Sequence, residues 1–275
     1  MDESKKVIRT GILILVLLIA AFAVYYIFFY KKAQESSAAE QSLKSQALSP
    51  EEAARKAEGI VSGISVNLDQ SDDTVRQLAR ELSSHLTFAL WLKSKDMIRK
   101  FTAAVDNIAN GESPRPQIDF FAPVEKLKVV RKNGQIYLDP ASYERYNIVA
   151  DVFDSLSAME CAQLYQRLRP LFQQAYKELG YPKEDFHQTL LRSIVEILKA
   201  PVVEDPILLG KKVTTYVMVD PRLESLSAVQ KHLLRMGPEN TQLIQARLRQ
   251  LALTIGFKES QLPKSITYSP RKRGY

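Results

Sequence analysis

From Gly11 to Tyr30 no charge interrupts twenty residues rich in Ile, Leu, Val and Phe. As a helix that run is about 30 Å long, the thickness of a bilayer's hydrocarbon core. Lys5, Lys6 and Arg9 precede it and Lys31 and Lys32 follow. Tyr25, Tyr26 and Tyr30 lie toward its end, where amphipathic rings favour the headgroup level. A buried core helix this close to the terminus would show a polar face, and this run has none. Ala21-Phe22-Ala23 has the small-x-small spacing of a signal-peptide cleavage site. The apolar run continues past it to Tyr30, where a mature terminus would turn polar, so the reading is an uncleaved anchor.

Beyond the anchor the pattern changes twice. Residues 31–67 are dominated by Ala, Ser, Gln and Glu and read as a flexible linker that buries too little to offset its ordering entropy. From Leu68 onward apolar residues recur every three or four positions. Val75, Leu78, Leu82, Leu86 and Ala89 predict one helix, with Ser71 as cap and Asp72 and Asp73 in its first turn. Ile98, Phe101, Val105 and Ile108 predict a second after Asp96, stopped by Gly111. Asn133-Gly134, between 127–131 and 135–138, predicts a β-hairpin, because both residues accept positive φ. Asp139-Pro140 pairs a cap with a first-turn proline. Ser157 and Glu160 open a long helix to Leu179, stopped by Gly180, with Pro170 expected to kink or split it. Helices are predicted over 184–198, 228–236 and 238–255, and β-branched residues over 213–219 predict a strand beside the hairpin.

The expected fold is mainly α with a small antiparallel β-sheet, a hairpin plus one further strand, behind a single N-terminal transmembrane helix. The layout is a cytoplasmic N-terminus (1–10), the transmembrane helix (11–30), the linker (31–67), a globular domain (68–255) and a basic tail (256–275) expected to be disordered. Three basic residues before the span against two directly after it put the N-terminus in the cytoplasm and the domain outside it.

Charge then narrows the partners. The chain carries +7, but residues 1–30 account for +1 and the stretch from Lys258 to the end for +4, which leaves +2 on the folded part. A nucleic-acid domain concentrates positive charge on the fold itself, so no nucleic-acid partner is expected. The lone Cys161 excludes an internal disulfide and a cysteine-rich zinc site. It shares a helix face with Leu164, Leu168, Leu171 and Ala175, as a small buried hydrophobe does. His85, His187 and His232 have no i, i+4 partner, and neither a phosphate-binding glycine loop nor a Gly-x-Ser-x-Gly elbow is present. No catalytic, cofactor-binding or metal-binding residue is therefore assigned, and no cofactor is expected. Tyr143 and Tyr146, three apart, and the junction Arg235-Met236-Gly237-Pro238-Glu239-Asn240 are the candidates for an interaction surface, with Tyr143, Tyr146, Arg235, Glu239 and Asn240 as its residues.

The stretches Phe101-Thr102-Ala103-Ala104-Val105-Asp106-Asn107, Tyr137-Leu138-Asp139-Pro140, Pro170-Leu171-Phe172, Leu179-Gly180-Tyr181-Pro182 and Leu234 to Asn240 resemble a bacterial membrane-anchored family, the domain of unknown function numbered 3014. The resemblance covers roughly Leu86 to Leu251. It implies one N-terminal span, a low-complexity linker and one such domain, and it carries no activity. The chain is thus expected to be a single-pass protein of the bacterial inner membrane with a periplasmic, non-enzymatic interaction or scaffold domain. Its expected partners are the bilayer and an envelope protein. The alternative class is an envelope hydrolase using convergent carboxylates. A lesser one is a membrane-tethered helix-turn-helix DNA binder, suggested by the tight turn at Gly237.

Overall fold

Helices account for most of the fold in a computed structural model of the chain, which describes residues 67–118, 123, 125–213 and 215–268. The expected anchor lies outside the described residues. No helix among the described residues is long and apolar enough to cross a membrane.

The first predicted helix is two. Helix α1 (Ser71–Ala79) runs into a 3-10 turn, and the backbone is extended at Ser83 before α2 (Leu86–Trp91) begins. Local polar bonds explain the break. Ser83 Oγ meets Ser155 Oγ at 2.6 Å and accepts the His85 N–H at 3.0 Å, offering the backbone an alternative to helix. His85 then caps α2, its Nδ1 accepting from the Thr87 N–H. Ser71 is inside α1 and donates to the Leu68 carbonyl, so it is no cap. Asp72 caps a different helix: its carboxylate accepts the N–H groups of Asp96 and Met97 at the start of α3 (Met97–Ala109). That contact ties α1 to α3 and satisfies donors that would otherwise be orphaned.

Helices α4 (Asn147–Ser155), α5 (Ala158–Glu178) and α6 (Phe186–Leu198) follow. Ser157 caps α5 as expected. The helix runs unbroken through Pro170, which lies on its exposed face, so the expected split does not occur. After the sheet strands come α7 (Pro221–Glu224), α8 (Ala228–Met236) and α9 (Pro238–Ile255).

The hairpin stands where the Asn-Gly pair puts it. Strands β1 (Val129–Lys132) and β2 (Gln135–Leu138) are joined by Asn133 at φ 51° and Gly134 at φ 74°. The sheet, however, has four strands in the order β1-β2-β3-β4. Strand β3 (Leu208–Lys211) pairs with β2 through Ile136 and Leu209, and β4 (Tyr216–Met218) pairs only with β3. The predicted strand at 213–219 is therefore shorter and does not touch the hairpin, and Val213 stands 98% exposed in the connecting turn. Gly210, Lys211 and Lys212 had masked β3 by lowering its apparent β propensity.

The packed chain also continues beyond the predicted end at Ile255. Phe257 and Leu262 are each 6% exposed, and the Phe257 ring stacks on His187 with centroids 4.4 Å apart. Val202 donates to the Ile266 carbonyl and accepts from the Tyr268 N–H. Part of the expected disordered tail is thus core through Tyr268. Its three apolar anchors are irregularly spaced and leave no periodic signal.

Gly237 joins α8 to α9 at φ 87° and ψ 165°. The positive φ suits a glycine, and the ψ takes it out of the left-handed helical basin. A Cβ here would stand 2.5 Å from Tyr143 Cγ. Gly237→Ala should therefore lower stability by about 3 kcal/mol, strain and overpacking together, read as a fall in melting temperature of several degrees. An unchanged midpoint would mean that the Tyr143 ring gives way freely. A chain ending at Ile255 should be less stable than one ending at Tyr268 by roughly 3–6 kcal/mol, for the lost burial of Phe257 and Leu262. Equal denaturant midpoints for the two would refute this.

Candidate functional site

The apolar stripe of α3 faces inward, as its spacing predicted, but it does not close against its neighbours. Ile98, Phe101, Ala104, Val105 and Ile108 form one wall of a cavity of about 530 Å³. The opposite walls come from α4, α5, α6, α8 and α9, with Val152, Leu168, Ile194, Leu233 and Leu248 among them. Phe88 and Trp91 of α2 line it as well. The exposed Arg115 belongs to the lining, so the cavity reaches the surface there.

The size matters energetically. A hollow of about 530 Å³ between helices leaves apolar walls short of packing partners and in contact with water. Water there finds few hydrogen-bond partners, because the walls are almost wholly apolar. The volume falls within the range of small-molecule sites, which are mostly apolar with a few placed polar groups.

Those polar groups share a sign. Among the described residues the charged side chains in the lining are Lys100 and Arg115, with His232 beside them, and no Asp or Glu. Lys100 Nζ donates to Ser94 Oγ at 3.1 Å. His232 Nε2 lies 3.0 Å from Ser113 Oγ. Burial, reinforced by Arg115 and Arg235, lowers the His232 pKa to about 4, so the imidazole is neutral near pH 7. Cys161 also lines the cavity, and burial, reinforced by Glu160, pushes its thiol up to about 11. A protonated thiol is a small hydrophobe and no nucleophile.

The residues expected to form an interaction surface do come together, but mostly inside the fold. Tyr146 is 6% and Asn240 9% exposed. Asn240 Nδ2 lies within reach of the Tyr143 carbonyl, Asn147 Oδ1 and the Met236 carbonyl, and the Tyr143 ring abuts Gly237. This is a joint between the segment before α4 and the α8–α9 turn. Glu239 is exposed, and Arg235 is half buried beside the cavity. The same burial removes the helix-turn-helix reading. A recognition helix presents its first residues to base edges, whereas Asn240, Thr241, Ile244 and Gln245 of α9 are buried and Arg247 and Arg249 pair with Asp154 and Glu259.

Carboxylates converge in one place, away from the cavity. Asp106 Oδ2 lies 3.4 Å from the Tyr181 hydroxyl, and Glu184 Oε2 lies 3.4 Å from the Tyr176 hydroxyl. Burial raises the Asp106 pKa, and its buried Oδ1 has no hydrogen-bond partner among the described residues. Among the described residues no group of three or more His, Cys, Asp or Glu is placed to hold a metal ion.

The sequence singled out neither Arg115 nor His232 as site residues. Arg115 sits between two prolines in a loop, and His232 lacks a partner at helical spacing; their meeting is a tertiary event. A neutral buried histidine has a signature in pH. Between pH 6.5 and 4 the unfolded chain takes up a proton at this position that the native state refuses, so stability is full above that window and falls as pH drops through it. The contribution lost between about pH 7 and about pH 5 is on the order of 2 kcal/mol. His187, whose pKa burial also lowers, adds in the same direction. Urea midpoints should therefore drop less on acidification in His232→Gln than in the natural chain, and parallel drops would exclude the assignment.

The family described as a protein of unknown function (DUF3014) matches residues 97–252, from the first residue of α3 into the last turns of α9. No curated protein and no solved structure matches the chain. The matched segment spans more than half of the 275 residues and includes most of the cavity's walls, and the chain belongs to the DUF3014 family.

Proposed function

We propose that this protein is a membrane-tethered, non-enzymatic binding module of the bacterial envelope that receives an apolar ligand in the cavity between its helices. The cavity of about 530 Å³ carries the reading: it has the size of a small-molecule site, its walls are almost wholly apolar, and no carboxylate lines it among the described residues. On this reading residues 11–30 hold the domain at the inner membrane, on the periplasmic side, within reach of lipids or of an envelope protein that delivers or takes the ligand. Leu86 and Leu90 support a location near an apolar phase. They stand 84% and 58% exposed on α2, whose Phe88 and Trp91 line the cavity.

The hydrolase reading has less to rest on. Asp106 and Glu184 are linked through tyrosine hydroxyls and not through a substrate-sized cleft, and the cavity itself holds no activated nucleophile. Two carboxylates outside the deep site do not make an acid–base pair acting on a bound ligand.

The test uses the full-length protein in native membranes, so that no detergent competes for the cavity. A long-chain alcohol carrying an aliphatic diazirine and a terminal alkyne is photolysed there and the labelled peptides are mapped. Labelling should fall on α3, α5 and α8. It should drop several-fold in Ala104→Leu and in Cys161→Phe, each of which fills the cavity, with protein levels and melting temperature maintained or raised. Labelling confined to residues 11–30, or undiminished in both variants, would sink the proposal.

A further inference from the structure

Positive charge around the cavity is present in excess of what the fold uses. Six arginines are partly buried, and four of them, Arg76, Arg99, Arg247 and Arg249, pair with carboxylates. Arg145 donates to the carbonyls of Ser142 and Glu125 and lies over the Tyr146 ring. Arg235 is different. Its hydrogen bond goes to the Lys231 carbonyl at 3.3 Å, and no carboxylate lies within ion-pair distance of it among the described residues. Glu224, the acid whose charge it feels, is held by Lys231 and by the Met218 N–H. A half-buried guanidinium without a counter-ion is costly unless an anion completes its environment.

That guanidinium stands on α8 between His232 and Met236, both of which line the cavity. Arg235 feels the charge of Arg115, which is in the lining, and it lies one turn from His232 on α8. Arg115 forms no side-chain hydrogen bond or ion pair among the described residues. A guanidinium and an imidazole thus line an apolar cavity with no acid among the described residues of its walls, and Arg235 stands one turn from the imidazole. Guanidinium forks recognise carboxylate and phosphate oxygens in pairs. Building on the cavity as the ligand site, we propose that the ligand is a single-chain amphiphile with an anionic head, its chain in the cavity and its head held by Arg115, His232 and Arg235. The recognised chemistry is an acidic head on an alkyl chain, met by a fatty acid or by a lysophospholipid with a terminal phosphate.

The exposed Leu86 and Leu90 beside the cavity fit a ligand that arrives from a lipid surface. Lys100, hydrogen-bonded to Ser94, is the other cation in the lining and marks a rival position for the head.

Three probes decide the matter in native membranes containing the full-length protein. They share one diazirine-bearing chain and end in a carboxylate, a phosphate or a hydroxyl. Both acidic probes should label the cavity peptides several-fold more than the alcohol does, and the stronger of the two identifies the source. Arg115→Gln, a change at an exposed side chain that makes no hydrogen bond or ion pair among the described residues, should cut the acid-over-alcohol ratio by at least half. Arg115→Gln with Arg235→Gln should bring it to near parity while alcohol labelling persists, which shows that the cavity is intact. Lys100→Gln should leave the ratio unchanged. Equal labelling by all three heads would overturn the inference and leave the apolar-ligand reading standing. So would a ratio that survives the double substitution but collapses in Lys100→Gln. Absence of cavity labelling by every probe would remove both.

Discussion

Ring-on-ring packing sets how far apart the central helices stand. Phe172 of α5 stacks on Phe186 of α6 at 5.5 Å, Tyr165 on Phe172 at 5.8 Å, and Phe101 of α3 leans on Phe172 at 5.2 Å. Tyr176 packs edge-on against Phe186 and stacks on Tyr181, and His187 carries the column on to Phe257. Such pairs prefer a narrow range of centroid distances and bury large areas, so they act as rigid spacers as well as adhesive. One turn away the residues are small: Ala104 on α3 and Cys161 on α5 cannot span a separation fixed by phenyl rings. The cavity is a consequence of that mismatch, with large side chains at one end of the helix layer and small ones beyond it.

The polar interactions divide into those that hold the fold and those that do not. Asp72 ties α1 to the start of α3, Glu224 ties β4 to α8 through the Met218 N–H and Lys231, and Asp220 with Arg222 fastens Tyr268 and so the C-terminal strap. The pairing with Arg222 and Tyr268 holds the Asp220 carboxyl well below the usual range. Surface ion pairs of this kind contribute modestly each, and their value is in fixing where chain segments sit. Arg115 and Arg235 take no part in this system. Arg115 in the cavity lining, with Arg235 on the neighbouring turn of α8, gives the domain a local field that its near-neutral total charge conceals.

The joint at Gly237 shows how a motif legible in sequence can have a role that only packing assigns. Tyr143, Tyr146, Asn240 and Gly237 are a set because the Tyr143 ring occupies the space a side chain at Gly237 would need, while Asn240 binds the Tyr143 carbonyl from the next helix. The set couples the segment between the sheet and α4 to the α8–α9 turn. Since α4, α8 and α9 all contribute walls to the cavity, this joint also holds the cavity's shape.

Local chemistry by itself determined much of this protein. The Asn133-Gly134 turn, the Ser157 cap, the proline and glycine punctuation around α8 and α9, and the inward stripe of α3 follow from short-range sterics and periodicity, and all stand in the structure. The family could be named from separated short stretches for the same reason. Where sequence reasoning failed, a distant partner decided the outcome. Ser155 helps to break the first helix at Ser83, Asp72 caps a helix 25 residues away, Ile136 pairs with Leu209 to bring a glycine-containing strand into the sheet, and His187 makes Phe257 core. The cavity belongs to the same class. A hydrophobic pattern states which side chains turn inward; whether they meet depends on helix separations set by rings elsewhere, and on the loop that brings Arg115 to the cavity that His232 lines. Those are distances between residues far apart in the chain, and no window of sequence contains them.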